Sequence, residues 1–186
     1  KATLSITGGT YSTDVAEYCA DGYCAKAVTE NGVTSYAVVK ADESTAAAKV
    51  TAVDGTARYY ATIQKAVDAA ENGEKVTLLQ NIELSSALSI SVPGDITLDL
   101  NGHTLSYSKN YAAVSYNGTG VLTIQDSSTG QTGGVTSTYS GSNPAYAVRV
   151  FGHGVAVVTG GTFTSTSSTS PTMVANSATL KISGGT

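Results

Sequence analysis

Apolar and polar residues alternate over much of this chain, and the alternation breaks again and again at short polar or glycine-rich corners. The run DITLDLNGHTLS is the clearest case: Leu98–Thr104 alternates and then breaks at Asn101-Gly102. LSITGGT, LTIQDSS, AVVTGGT and LKISGGT repeat the pattern. Alternation with period two marks a strand with one buried face, and strand-corner units in series mark a coil of stacked strands. Leu98, Leu122, Ala156 and Leu180 take equivalent places, at steps of 24, 34 and 24 residues. The longer step predicts an insertion in one coil, placed in SSTGQTGGVTSTYSGSNP (127–144), which is almost all turn and loop chemistry. Val114 and Val148 each precede the next apolar marker by 8 residues, so every coil has at least two strands.

One coil cannot bury its inward Leu, Val and Ile alone, whereas stacked coils bury them against each other and pair their backbones. The expected class is therefore mainly β: a right-handed parallel β-helix, capped by one short α-helix, with an N-terminal hairpin-containing segment.

The cap and the hairpin come from the first part of the chain. ATLSITGGT (2–10) reads as a strand and its corner. Thr13 or Asp14 can cap a helical turn with Glu17 in its first turn and Gly22 at its end. Asn31-Gly32 predicts a hairpin with strands near Cys24–Thr29 and Val33–Val39. KADESTAAAK (40–49) lacks alternation and reads as a linker or a short helix, and Asp54-Gly55 turns a second hairpin. Thr62–Asn72 carries Ile63, Ala66, Val67 and Ala70 on one helical face, with Thr62 as N-cap and Gly73 just past the end. Such a helix, directly before a strand array, predicts a lid over the array's open end. The division expected is residues 1–50 as the end of a preceding repeat and 51–186 as a helix-capped β-helix module. ATLSITGGT (2–10) and ATLKISGGT (178–186) agree at seven of nine positions. The favoured reading is one period of a tandem repeat with overlapping ends; the other is two ordinary coils of one solenoid.

Composition narrows the function. Net charge is −4 with 13% charged residues and no basic stripe, which argues against nucleic acid. No apolar run approaches the ~20 residues of a membrane helix, so no membrane insertion by this segment is expected. The chain opens at Lys1 rather than Met and reads as a piece of something longer. Cys19 and Cys24, in YCADGYCA, are either a disulfide closing a small loop or two small hydrophobes flanking an Asp-Gly turn.

YATIQKAVDAAENGEKVTLLQNIELSSALSI, ITLDLNGHTLS, VLTIQDSS and the GGTF and GGTY corners resemble repeat modules in large adhesin-like surface proteins of Gram-positive gut bacteria. GGTYSTDVAEYCADGYCAKAV resembles the segment that closes such a module. The resemblance implies a pectate-lyase-like β-helix on the bacterial cell surface, extracellular, with neighbouring repeats of the same chain as partners. It also implies a host glycan or host protein as ligand, immunoglobulins among them.

Catalysis on this scaffold would need clustered carboxylates for Ca²⁺ with a base, or two carboxylates facing one groove. Asp99, between Leu98 and Leu100, is expected to point outward, with Thr123, Val157 and Lys181 as its neighbours along the face, so no acidic row forms. Asp126 reads as a corner residue, Asp95 as a solvated charge, and Arg149 as a lone outward charge. His103 and His153 follow glycines at corners and lack further ligands. No catalytic residue, metal or cofactor is expected. Tyr107, Tyr111, Tyr116, Tyr139 and Tyr146 fall in or beside the corners and the insertion, and are the candidate ligand-binding residues. The leading expectation is a non-enzymatic, ligand-displaying module; a polysaccharide lyase or glycosidase, and a passive stalk spacer, are the alternatives.

Overall fold

The computed structural model describes residues 4–168 and 170–186. Strands β1 (Thr10–Tyr11), β2 (Tyr23–Glu30) and β3 (Val33–Lys40) form an antiparallel sheet in the order β1-β3-β2. Asn31 and Gly32 turn the hairpin with φ of 50° and 78°, the pair of positive angles that matches strand twist and that Asn-Gly tolerates best. Of the strand expected over 2–10, residues 1–3 lie outside the described residues. The rest contributes Thr10 to β1 and one bridge from Ile6 to Cys19. The expected helical turn is a single 3₁₀ turn, Ala16–Tyr18, where Asp14 Oδ1 accepts the Ala16 N–H at 2.9 Å. Gly22 leads into β2 instead of ending that turn. Residues 42–45 form a tight turn around the Asp42 carboxylate, which accepts the N–H groups of Ser44 and Thr45.

Strands β4 (Ala48–Thr51) and β5 (Ala57–Tyr60) form the second hairpin, and α1 (Ile63–Asp68) follows. Thr62 caps α1 by accepting the Lys65 N–H at 3.3 Å. The helix is shorter than its apolar pattern. Arg58 Nη2 donates to the Ala69 carbonyl and Glu74 Oε2 accepts the Glu71 N–H, so these contacts turn the chain out of the helix early. Gly73, with φ of 83°, shapes the turn into the next strand.

From Glu74 the chain winds in coils of three strands. The first is β6 (Glu74–Leu78), β7 (Ile82–Glu83) and β8 (Leu88–Ile90); the second is β9 (Ile96–Asp99), β10 (Thr104–Tyr107) and β11 (Tyr111–Tyr116). The third is β12 (Val121–Gln125), β13 (Gly134–Ser137) and β14 (Ala145–Phe151); the fourth is β15 (Val155–Val158), β16 (Thr162–Ser165) and β17 (Met173–Asn176). Strand β18 (Thr179–Ile182) follows. Like strands pair in parallel from coil to coil and make three faces: β6-β9-β12-β15-β18, β7-β10-β13-β16 and β8-β11-β14-β17. The fold is a β-solenoid of about four turns. Strand β13 lies inside the stretch expected to be loop, because its four residues, GVTS, hold a single apolar side chain next to glycine and carry almost no alternation signal.

Inward residues pile into columns. Val76, Leu98, Ile124, Val158 and Ile182 stack on the first face, and Ile82, Leu105, Val135 and Phe163 on the second. Leu88, Val114, Val148 and Met173 stack on the third. The equivalence of Leu122, Ala156 and Leu180 is correct, and so is that of Val114 and Val148. Leu98 is a correction: it pairs with Ile124, while Leu122 pairs with Ile96. A two-residue slip keeps the same face inward, so alternation by itself does not distinguish the two registers. Ile63, Ala66, Val67 and Ala70 join the same core as Val76, Leu78, Leu88 and Ile90 of the first coil. The β4–β5 hairpin pairs antiparallel to β6, so the first coil's edge is covered by the hairpin and its interior by the helix. No helix among the described residues is long and apolar enough to cross a membrane.

Candidate ligand-binding face

The acidic residues that could have done chemistry are engaged at the corners. Asp99 is a correction: it is 0% exposed. Strand β9 ends there and the chain bends, so Leu98, Asp99 and Leu100 are all buried and strand alternation no longer applies. Its carboxylate accepts the N–H groups of Asn101 (3.1 Å) and Ser127 (3.0 Å) and the Gln125 side-chain amide (3.0 Å). Burial pushes this carboxyl up, and the hydrogen bonds from Gln125, Ser127 and Asn101 outweigh it and hold it below the ordinary carboxylate range. Asp126 sits at the same corner one coil on and accepts the N–H groups of Gly102 (2.8 Å), Ser128 (3.1 Å) and Gly133 (2.6 Å). Burial is again outweighed by these bonds, so it too lies low. Asp95 Oδ1 accepts the Val121 N–H of the coil above at 2.8 Å. Asn101, at the Asn-Gly break after β9, donates to the Leu78 carbonyl of the coil below at 3.0 Å. These groups tie coil to coil.

His103 lies between β9 and β10 and His153 between β14 and β15, so the two occupy different corners. No group of three metal-ligating side chains stands among the described residues. A cleft of about 450 Å³ beside α1 is lined by Asp14, Glu17, Gln64, Asn81 and Glu83 among others. Sequence reading did not single out the Arg58–Glu74 ion pair, 2.7 Å apart, which closes the first coil next to this helix.

Cys19 and Cys24 are both buried free thiols. Burial, and then the neighbouring Cys19, push the Cys24 thiol up to about 11.

The five tyrosines do not share one surface. Tyr107 is 6% exposed and Tyr116 0%, and both belong to the core. The correction has a simple cause. Each ends its strand at an inward position, Tyr107 two residues after Leu105 and Tyr116 two after Val114. The Tyr116 hydroxyl donates to the Gly120 carbonyl at 2.8 Å. Tyr139 is half-buried in the loop between β13 and β14, where its hydroxyl accepts from Asn143 at 3.5 Å. Tyr146 is half-buried on β14. Of these five, Tyr111 alone is exposed, at 47%.

Tyr111 has company that the sequence did not advertise. The Arg149 guanidinium lies 4.5 Å from the Tyr111 ring centroid and 4.6 Å from that of Phe151, both on the third face. Arg149 and Phe151 are two apart on β14 and so share a side of the sheet, while Tyr111 begins β11, the adjoining strand. The R-x-F spacing was visible in the sequence; the pairing that brings Tyr111 beside it was not. Arg149 is thus not a lone charge but one held between two rings. No protein-family model, curated protein or solved structure matches the chain.

Proposed function

We propose that this chain is a non-enzymatic module of an extracellular, adhesin-like bacterial surface protein that binds a host glycan or glycoprotein on its third face. The observation that carries the reading is the Tyr111–Arg149–Phe151 cluster on the sheet's outer side, an exposed ring beside a half-buried cation and a second, half-buried ring. Aromatic and Arg side chains are the usual anchors of recognition surfaces, and a stacked strand array holds them without loop motion. The engagement of Asp95, Asp99 and Asp126 by backbone donors supports a binding role over hydrolysis or elimination. The sequence resemblance to pectate-lyase-like surface repeats supports the location and the class of partner, immunoglobulins included. The likeness of residues 2–10 and 178–186 supports neighbouring repeats as further partners.

A glycan panel and purified immunoglobulin, probed with the chain and with its Tyr111→Ala/Arg149→Ala double variant, test the reading. The parent chain is expected to retain at least one ligand and the variant to lose it with its melting temperature little changed. No retained ligand, or equal retention by the variant, overturns it.

A further inference from the structure

We infer that the third face takes a carboxylate-bearing sugar, held by Arg149 through the carboxylate and by Tyr111 through the sugar ring. This rests on the binding reading above and adds the ligand's chemistry.

Four observations converge. First, Arg149 has no carboxylate partner among the described residues; the ion pairs there are Lys49–Glu43, Arg58–Glu74 and Lys75–Asp99. Second, the outward positions of this face carry no acid: Ser115 and Val174 flank Arg149 in register, Ser89 lies one strand beyond Ser115, and Phe151 lies beside Asn176. A guanidinium flanked by rings keeps its N–H edge for a planar anion, and a carboxylate matches that edge with two parallel hydrogen bonds.

Third, Tyr111 has φ of 88°, a region that side-chain-bearing residues rarely adopt. Its N–H donates to the Pro144 carbonyl at 2.8 Å, and that bond helps hold the strained backbone. Glycine would sit there freely, yet the chain keeps an exposed ring beside the cation. An exposed aromatic face stacks on the apolar face of a pyranose. Fourth, the Ser115 hydroxyl is buried with no hydrogen-bond partner, next to Arg149 in register. Val114 and Tyr116 on either side belong to the core, so Ser115 faces the outer side. A polar ligand oxygen satisfies that hydroxyl when Arg149 turns toward its anion.

A single carboxylate suits the site better than a polyanion. Net charge is −4, so the molecule as a whole repels an extended acidic chain, while one neutral face with one cation accepts one acidic group.

The test is a titration of the whole chain with the methyl glycoside of N-acetylneuraminic acid and with trigalacturonic acid. Their methyl esters, galactose and a Glu-rich peptide run alongside. The sialoside, with its one carboxylate, is expected to bind more tightly than trigalacturonic acid; the reverse order points to a uronate polymer and overturns the single-carboxylate reading. Esterification keeps the ring and removes the charge, and should weaken binding at least tenfold. Arg149→Ala should do the same, and Arg149→Lys should recover only part of the loss. Tyr111→Gly should weaken binding while the melting temperature stays level or rises, an outcome that mere unfolding does not give. Esters binding as well as acids, or binding unaffected by Arg149→Ala, overturns the inference. So does peptide binding without sugar binding, or no binding of any probe. In each case, retention of a neutral glycan or immunoglobulin in the earlier panel leaves the broader reading standing.

Discussion

Asp126→Ala should be among the most damaging substitutions available, although it removes only a carboxyl group at a corner. The carboxylate accepts three backbone N–H groups: Gly102 in the coil below, Ser128 next to it, and Gly133 at the far end of the following loop. Gly133 is buried and the other two are half-buried. A buried donor left without a partner costs about 1–3 kcal/mol, and each of the two wetter bonds is worth about 0.5–1.5 kcal/mol. The loss is therefore roughly 2–6 kcal/mol, which for a chain of this size lowers the melting temperature by about 2–4 °C per kcal/mol. Circular dichroism melts at pH 7 measure it. Asp126→Asn keeps the shape but turns an N–H₂ toward one of the donors, and should lie between the two. The sign with pH follows from the lowered carboxyl of the folded state. Its stabilisation is complete above the ordinary carboxylate range and fades as pH falls through the folded-state value. The gap between parent and Asp126→Asn should accordingly narrow in acid. A loss under about 1 kcal/mol for Asp126→Ala, smaller than one buried orphan donor, would refute the reasoning, as would a gap that is the same at neutral and strongly acid pH.

Other outcomes follow from the same geometry. Gly120→Ala drives a Cβ into the Gly94 backbone of the coil below, so one coil must lift off the next, at a cost of about 1–3 kcal/mol or more in a denaturant melt. Leu122→Ala empties a fully buried place in the column and should cost about 2–5 kcal/mol. Ile182→Ala, on a side chain 62% exposed in the last strand, should stay within about 0.5 kcal/mol in the same melt. Cys19 and Cys24 should resist a thiol reagent at pH 7.5 in the native state, because both are buried and both thiols are raised. After denaturation without reductant, both should titrate; none titrating would show that the pair is oxidised.

The sequence by itself determined that this chain coils. Strand period, repeated corners and the Val114–Val148 spacing require stacked strands, because no single coil can bury Leu105, Ile124 or Val150. Asn31-Gly32 determined the hairpin, since few other pairs accept two positive φ angles, and Thr62 determined where the helix starts. Tertiary structure alone decided the register of β9 on β12, because sliding by two residues leaves the same side chains facing inward. It decided the third strand of each coil, where β13 offers too few apolar residues to be seen. It also decided the fate of the polar groups. Asp99 is buried because a corner suspends alternation, and Tyr107 and Tyr116 fill the core because they end their strands on the inward side. Tyr111 meets Arg149 across two strands far apart in the chain, and only the pairing of β11 with β14 supplies that contact.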